Sequence, residues 1–204
     1  MSTTRRGPGR PSGVDAGETR AALLGAARTV FSERGYAGAG IAEIVARAGV
    51  SAPVLYHHFA GKADLYLAVA ADVYDEVLSA LEAAAGGRGR GGAFVERLDA
   101  VLAAAADLNE ADPTIGGFAT ALPADLRLTA ELAPVRDQMG RVRAFFLALA
   151  AASPDVPRRR REAVADACAT LIAGLSRAGA IQSSPAEFRQ TVESIRLLVR
   201  GELF

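Results

Sequence analysis

The chain has 204 residues, 50% of them hydrophobic, with 23 basic and 23 acidic side chains and one cysteine. That length holds one large domain or two small ones, and the lone Cys168 excludes an internal disulfide, pointing to a reduced, cytoplasmic setting with the thiol as a small core residue. Ala and Gly abound, strand-like alternation of β-branched residues is missing, and the longest apolar run, residues 144–152, is too short to cross a bilayer, so an all-α protein without a membrane span is expected.

The opening residues are polar and basic and lack the apolar stretch of a secretory signal. Residues 1–14 read as a disordered arm, because Gly7, Pro8, Gly9, Pro11 and Gly13 oppose regular structure. A first helix starts near Asp15 or Thr19, where Asp15 and Glu18 resemble a capping box. Leu24, Ala27 and Phe31 form its buried stripe, and Gly35 ends it. A second helix covers residues 41–48, with Ile41, Ile44, Val45 and Ala48 inward and Gly49 as its stop. Ser51 is an N-cap for a third helix, with Pro53 in the first turn, where a missing N–H is harmless. Gly61 separates it from a long fourth helix over residues 62–85.

Residues 86–92 are glycine-rich and formally contain G-x-G-x-x-G. A dinucleotide site needs a preceding strand in a βαβ unit, and none is predicted, so this is a solvated loop or, less favoured, an arginine–glycine nucleic-acid contact. Helices follow over residues 93–109, 113–121, 131–152, 157–178 and 185–203, three of them opened by Pro113, Pro157 and Pro185. The helix over 131–152 carries Val135, Met139, Val142, Phe146 and Leu149 on one stripe, with Phe145 and Leu147 outside it, which implies burial on several sides. Arg158 to Arg161 form the densest charge run, read as a solvated face or as partners of acidic groups across a subunit interface.

Charge is uneven: residues 1–62 carry eight basic and four acidic side chains, the rest fifteen and nineteen. A basic N-terminal module on an acidic body favours a polyanion at one end. Residues 40–59 supply the matching device, two short helices joined by a tight turn at Gly49, Val50 and Ser51, the spacing of a helix-turn-helix. In its second helix Leu55 and Phe59 face the core, leaving Val54, Tyr56, His57 and His58 directed to solvent or DNA.

Over residues 20–65 the sequence resembles the tetracycline-repressor (TetR) family, through Ala26-Ala27, Phe31, Gly35-Tyr36, Ile44, Ala48-Gly49-Val50-Ser51, Leu55-Tyr56, His58-Phe59, Lys62 and Leu65. One departure is the start of the second helix. The family favours a Thr or Ser cap there that also touches a phosphate, and this chain has Ala39-Gly40. Beyond about residue 75 only architecture carries over. The resemblance implies a basic arm (1–14), a helix-turn-helix DNA-binding domain (15–62) and a helical ligand-binding and dimerisation domain (63–204).

The expected protein is a homodimeric regulator of a palindromic operator, a repressor released by a small hydrophobic or aromatic effector. Alternatives are an activator or a DNA-binding regulator without effector. For DNA, the N-termini of the second helix, at Gly40, and of the helix that starts at Lys62, with the charge of Lys62 itself, suit phosphates, and Ser51 is a further contact candidate; Tyr56 and His58 match the family's phosphate-contacting or packing positions. His57 and Val54 are candidates for base edges, with Ala52 and Pro53 beside them, and Arg5, Arg6 and Arg10 for an adjacent minor groove. Phe118, Leu122, Met139, Val142 and Phe146 are the expected pocket lining, with Gln138 or Arg143 orienting a polar group. The dimer interface is expected from the stripes Val164, Cys168, Leu171 and Leu175, then Phe188, Val192, Ile195 and Val199. No Ser/His/Asp set stands out, so no enzyme activity or cofactor is expected. No metal is expected either, since the adjacent His57 and His58 diverge by about 100° on a helix.

Overall fold

The computed structural model describes residues 13–86, 92–181 and 184–202, and all regular structure among them is helical. Arg5, Arg6 and Arg10 of the expected arm, and residues 87–91 of the glycine-rich loop, lie outside the described residues. Helix α1 (Gly13–Gly38) is followed by α2 (Ile41–Ala48), α3 (Ala52–His58) and the long α4 (Lys62–Gly86). Then come α5 (Phe94–Ala111), α6 (Pro113–Leu128), α7 (Val135–Ala151), α8 (Arg161–Ile181) and α9 (Pro185–Arg200), with 3₁₀ turns at Ala130–Leu132 and Arg158–Arg160.

Local chemistry sets the breaks. Gly35 interrupts α1 at φ 64°, ψ −179°, a conformation essentially reserved for glycine. Gly49 closes α2 in the left-handed region (φ 69°), with its own N–H on Ala46 O and that of Val50 on Val45 O, the paired bonds of a Schellman motif. Asp112 caps α6 by accepting from Thr114 N, and Ser184 caps α9 by accepting from Glu187 N.

Several expected boundaries move: α1 starts at Gly13 and runs past Gly35, expected as its end, to Gly38, and the seventh helix starts at Val135 rather than 131, after the 3₁₀ turn at Ala130–Leu132. The sequence reading ends the sixth helix at residue 121, ahead of Pro123; the helix continues through that proline to Leu128. Pro123 leaves the carbonyl of Ala119 without its ordinary i+4 donor, a loss that burial of Ile115, Phe118 and Leu122 on one face outweighs. The eighth helix begins at Arg161 rather than 157, because Arg158–Arg160 wind as a 3₁₀ turn.

The helices build two cores stacked along α4. The first joins α1, α2, α3 and the first half of α4 (Leu65 to Val73) to Ile115, Phe118 and Leu122 of α6 and to Leu132 and Val135. The second joins the remainder of α4 (Leu78, Leu81, Ala85) to α5, α7, α8 and α9. Helix α1 therefore packs most extensively on α6, a helix from beyond residue 62. Three polar or close contacts fasten that pair. Arg28 bonds Asp112 and, at 2.7 Å, Glu76. Gly117 lies so near Ser32 that a Cβ there would stand 3.0 Å from its Cβ. Buried Asp125 accepts from Tyr36 N at 3.0 Å and from Tyr66 Oη at 2.9 Å.

By length and composition Arg158–Ile181 is apolar enough to cross a bilayer, although no continuous apolar run in it is that long. In the fold this segment packs on α6 and α7, with Ala165, Cys168, Ile172 and Leu175 buried.

Candidate DNA-binding surface and ligand cavity

Ile44 and Val45 of α2 and Leu55 of α3, all buried, anchor the two short helices on α1, and Phe59 seals the end of α3. With the inner face so fixed, α3 turns Pro53, Tyr56 and His57 outward, while Ala52, Val54 and His58 are half-buried at its flanks. Tyr56 is 55% exposed, far more than a ring retained for packing requires. The Ser51 hydroxyl, at the N-cap of α3, makes no capping bond, and Gly40 caps α2 with backbone alone. Both helix starts thus present N–H groups with no side chain competing for them.

Lys62 is differently engaged. Its Nζ donates to Tyr36 O at 2.8 Å and to Ala39 O at 3.0 Å and stands 4.5 Å from the centre of the Tyr36 ring. The ammonium therefore closes the chain between α1 and α2 as a C-terminal cap for the last turn of α1. Opposite, Glu33, Arg47, Glu43 and Arg34 pair across the α1–α2 contact. A single sequence conceals the Lys62 partnership, since the acceptors are backbone groups 26 and 23 residues away.

The second site is a cavity of about 310 Å³ where the two cores meet. Val73, Tyr74 and Val77 of α4, Phe118 and Leu122 of α6, Met139 and Val142 of α7, and Ile172 of α8 are among its walls. Phe118, Leu122, Met139 and Val142 are thus brought together as expected of a lining. Phe146, Gln138 and Arg143 are not. Phe146 is fully buried in the second core. Gln138 accepts from Arg141 at 2.7 Å, and Arg143 is held by Glu162 and Asp166 on the outer face of α8, acids that raise the guanidinium pKa further. Met139, expected inside, is 40% exposed and lies at the cavity rim.

Polar residues in the lining are Tyr74, Thr170 and Ser176; the Thr170 and Ser176 hydroxyls donate to Asp166 O and Ile172 O, whereas that of Tyr74 makes no hydrogen bond among the described residues and burial pushes its pKa up to about 12. Its helical position reads as one more core residue. The only local signal was an aromatic next to the buried Val73 on a helix shared by both cores.

On α8 and α9 the expected interface stripe divides. Cys168, Leu175, Phe188 and Val192 belong to the chain's own second core, because the stripes face α5 and α7 first. Val164, Leu171, Ile195 and Val199 are half-buried at the edge of that core. Ile181 and Leu198 stand 69% and 54% exposed. Helix α9 is tied to α5 by buried Asp99, which accepts from Arg196 at 2.9 and 2.8 Å and from Arg200 at 3.2 Å.

A tri-helical head with a Schellman turn between two short helices, on a larger helical body, defines a helix-turn-helix DNA-binding protein. The family described as bacterial regulatory proteins, tetR family, matches residues 23–69. The chain is 31% identical over 156 residues to the transcriptional repressor BepR of Brucella suis, spanning 75% of this chain and 72% of BepR. It is 47% identical over 87 residues to the transcriptional activator FasR of Mycolicibacterium smegmatis, a match that spans 40% of FasR. Among solved structures, the TetR-family regulator SCO4454 of Streptomyces coelicolor superposes with a TM-score of 0.69 at 25% identity, covering 92% of this chain and 97% of that one. The chain belongs to the TetR family of DNA-binding transcriptional regulators, which bind DNA and are not enzymes.

Proposed function

We propose that the protein is a homodimeric repressor that leaves a palindromic operator when a mostly apolar ligand fills the cavity between its cores. The observation that carries this reading is the double duty of α6. One face supplies Phe118, Leu122 and Pro123 to the cavity wall. Its Asp125, two residues past Pro123, holds the Tyr36 amide at the exit of α1, where the chain turns into the helix-turn-helix. A ligand that displaces α6 displaces that anchor, and with it the angle at which α2 and α3 are presented.

On DNA, Ser51 and the N-termini of α2 and α3 take phosphates, Tyr56 and His58 flank them, and Val54 and His57 meet base edges with Ala52 and Pro53 alongside. Arg5, Arg6 and Arg10 serve an adjacent minor groove. The dimer forms through the outer faces of α8 and α9, around Ile181, Leu198, Leu171 and Ile195. The excess apolarity of α8 beyond its core residues supports that surface. Two half-sites must lie about one helical turn, or a multiple of it, apart, so a ligand that changes the spacing of the two heads costs affinity. A regulator without an effector would have a filled body, against which the cavity of about 310 Å³ speaks. An activator, as the similarity to FasR suggests, would use the same contacts at a differently placed operator.

The test is reciprocal. Ligand affinity is measured with and without saturating operator, operator affinity with and without saturating ligand, and the two factors must agree by linkage. Moving the balance from 1:99 to 99:1 requires a differential affinity of about 5.5 kcal/mol. Unchanged ligand affinity on operator would end the reading of that ligand as an inducer.

A further inference from the structure

The main cavity shares part of its lining with a smaller space, which in turn shares part of its own with a third. Val77, Ile115, Ile172 and Ser176 also line a narrow space of about 30 Å³, which continues to Leu108, Asn109 and Phe188. Asn109 and Phe188 in turn line a vestibule of about 200 Å³ with Glu110, Gly179 and Ser184. The three spaces follow one another through shared walls. The middle space is a waist of about 30 Å³, with room for one or two water-sized groups.

Asn109 stands at this waist between two glycines. A Cβ on Gly116 or on Gly179 would come within 2.3 Å of the one or the other end of its carboxamide. Glycine at both positions is what lets this side chain occupy the wall. Its carboxamide makes no hydrogen bond among the described residues, whereas the neighbouring Ser176 hydroxyl is engaged by Ile172 O at 3.1 Å. Beyond it, Glu110 is already ion-paired with Arg189, so the described residues of the vestibule offer a donor-and-acceptor amide and no unpaired charge.

We infer that Asn109 gates a single elongated passage, and that the effector is an unbranched chain with an uncharged polar end rather than a compact ring. This rests on the reading of the main cavity as the effector site. The chain lies in the main cavity with its polar end at the waist. The polar end exchanges hydrogen bonds with Asn109 in place of the water it leaves. Asn109 sets how long a chain is accepted.

Primary alcohols from hexanol to tetradecanol test this, by their displacement of bound 1-anilinonaphthalene-8-sulfonate from the full chain. Each buried methylene tightens binding about fourfold. In the native protein the gain stops once the main cavity is full. In Asn109→Ala it continues into the vestibule, so that tetradecanol binds at least about tenfold more tightly than to the native chain while hexanol is unchanged. Asn109→Leu keeps the plug's volume and retains the native length limit. Adamantanol, compact and confined to the main cavity, is indifferent to both changes. If Asn109→Ala follows the native protein at every length, or Asn109→Leu lengthens the series as Ala does, the gate is overturned while the cavity reading stands. Ala119→Phe fills the main cavity and weakens every alcohol. If it does not, or if no alcohol binds any variant, the cavity reading fails and the gate with it.

Discussion

Asp125 is a buried carboxylate whose hydrogen-bond partners are a backbone amide and a phenol. Removing it strands the Tyr36 N–H and the Tyr66 hydroxyl away from water, so Asp125→Ala should cost about 2–4 kcal/mol of unfolding free energy in urea titration. Asp125→Asn keeps an acceptor and should cost less than half as much. Gly35→Ala is expected to cost about 2–3 kcal/mol for a different reason, since the backbone there is open to glycine alone and the new Cβ would stand 3.1 Å from Asp125 Oδ1. Lys62→Ala should lower stability as well as DNA affinity, because its charge is spent on Tyr36 O and Ala39 O; a purely phosphate-binding lysine would leave the urea midpoint in place. Acids raised by burial set the alkaline limit, among them the Tyr66 phenol, which burial and then Asp125 push well above the usual range. Burial raises the Cys168 thiol from 9.0 to about 11 and the Tyr74 phenol from 10.0 to about 12. Both raised groups favour the fold below pH 9 and withdraw that support as the unfolded chain ionises between about pH 9 and 12. Tyr74→Phe should flatten the upper part of that decline, and Cys168 should resist thiol reagents at neutral pH until the chain unfolds.

At the scale of helices, what sequence revealed and what it hid divide by distance along the chain. Gly49, Ile44, Leu55 and Phe59 lie within sixteen residues, and their spacing alone forces two short helices to share one inner face. Tyr74, Asn109 and Asp125 work through neighbours brought from other helices, which periodicity does not encode. Gly116, Gly117 and Gly179 were the available clue, glycines inside otherwise good helices and therefore places of close approach. Amphipathic stripes on α8 and α9 located burial without saying what buries them, which is why Cys168 and Phe188 read as interface and are core. The distinction is measurable. Leu175→Ala should destabilise the single chain by about 2–5 kcal/mol. Ile181→Glu or Leu198→Glu should leave chain stability nearly unchanged and shift sedimentation from dimer to a 21.1 kDa species, with loss of tight operator binding. An interface able to do this should bury at least about 1,000 Å².

For the whole molecule the charge asymmetry and the geometry of α3 make separable predictions. Operator affinity should fall steeply with salt, the logarithmic slope counting about 0.9 per phosphate neutralised. Deleting residues 1–12 should reduce that slope if Arg5, Arg6 and Arg10 reach the duplex; an unchanged slope would return them to solvent. His57→Ala should instead relax the preferred sequence, at about 1–3 kcal/mol for a lost base contact, with the slope intact.

Because α4 belongs to one core through Val73 and to the other from Leu78, its backbone is clamped at both ends and bordered by empty space at Tyr74 and Val77. Amide deuteration along this single helix should therefore not be uniform. The ends should exchange only with the unfolding of their own core, while the middle turn exchanges by the cheaper event of the cores parting. A chain lodged in the cavity would supply the missing contacts and slow the middle turn to match its ends, so that α4 records occupancy in its own labelling pattern, without DNA and without any change in average structure.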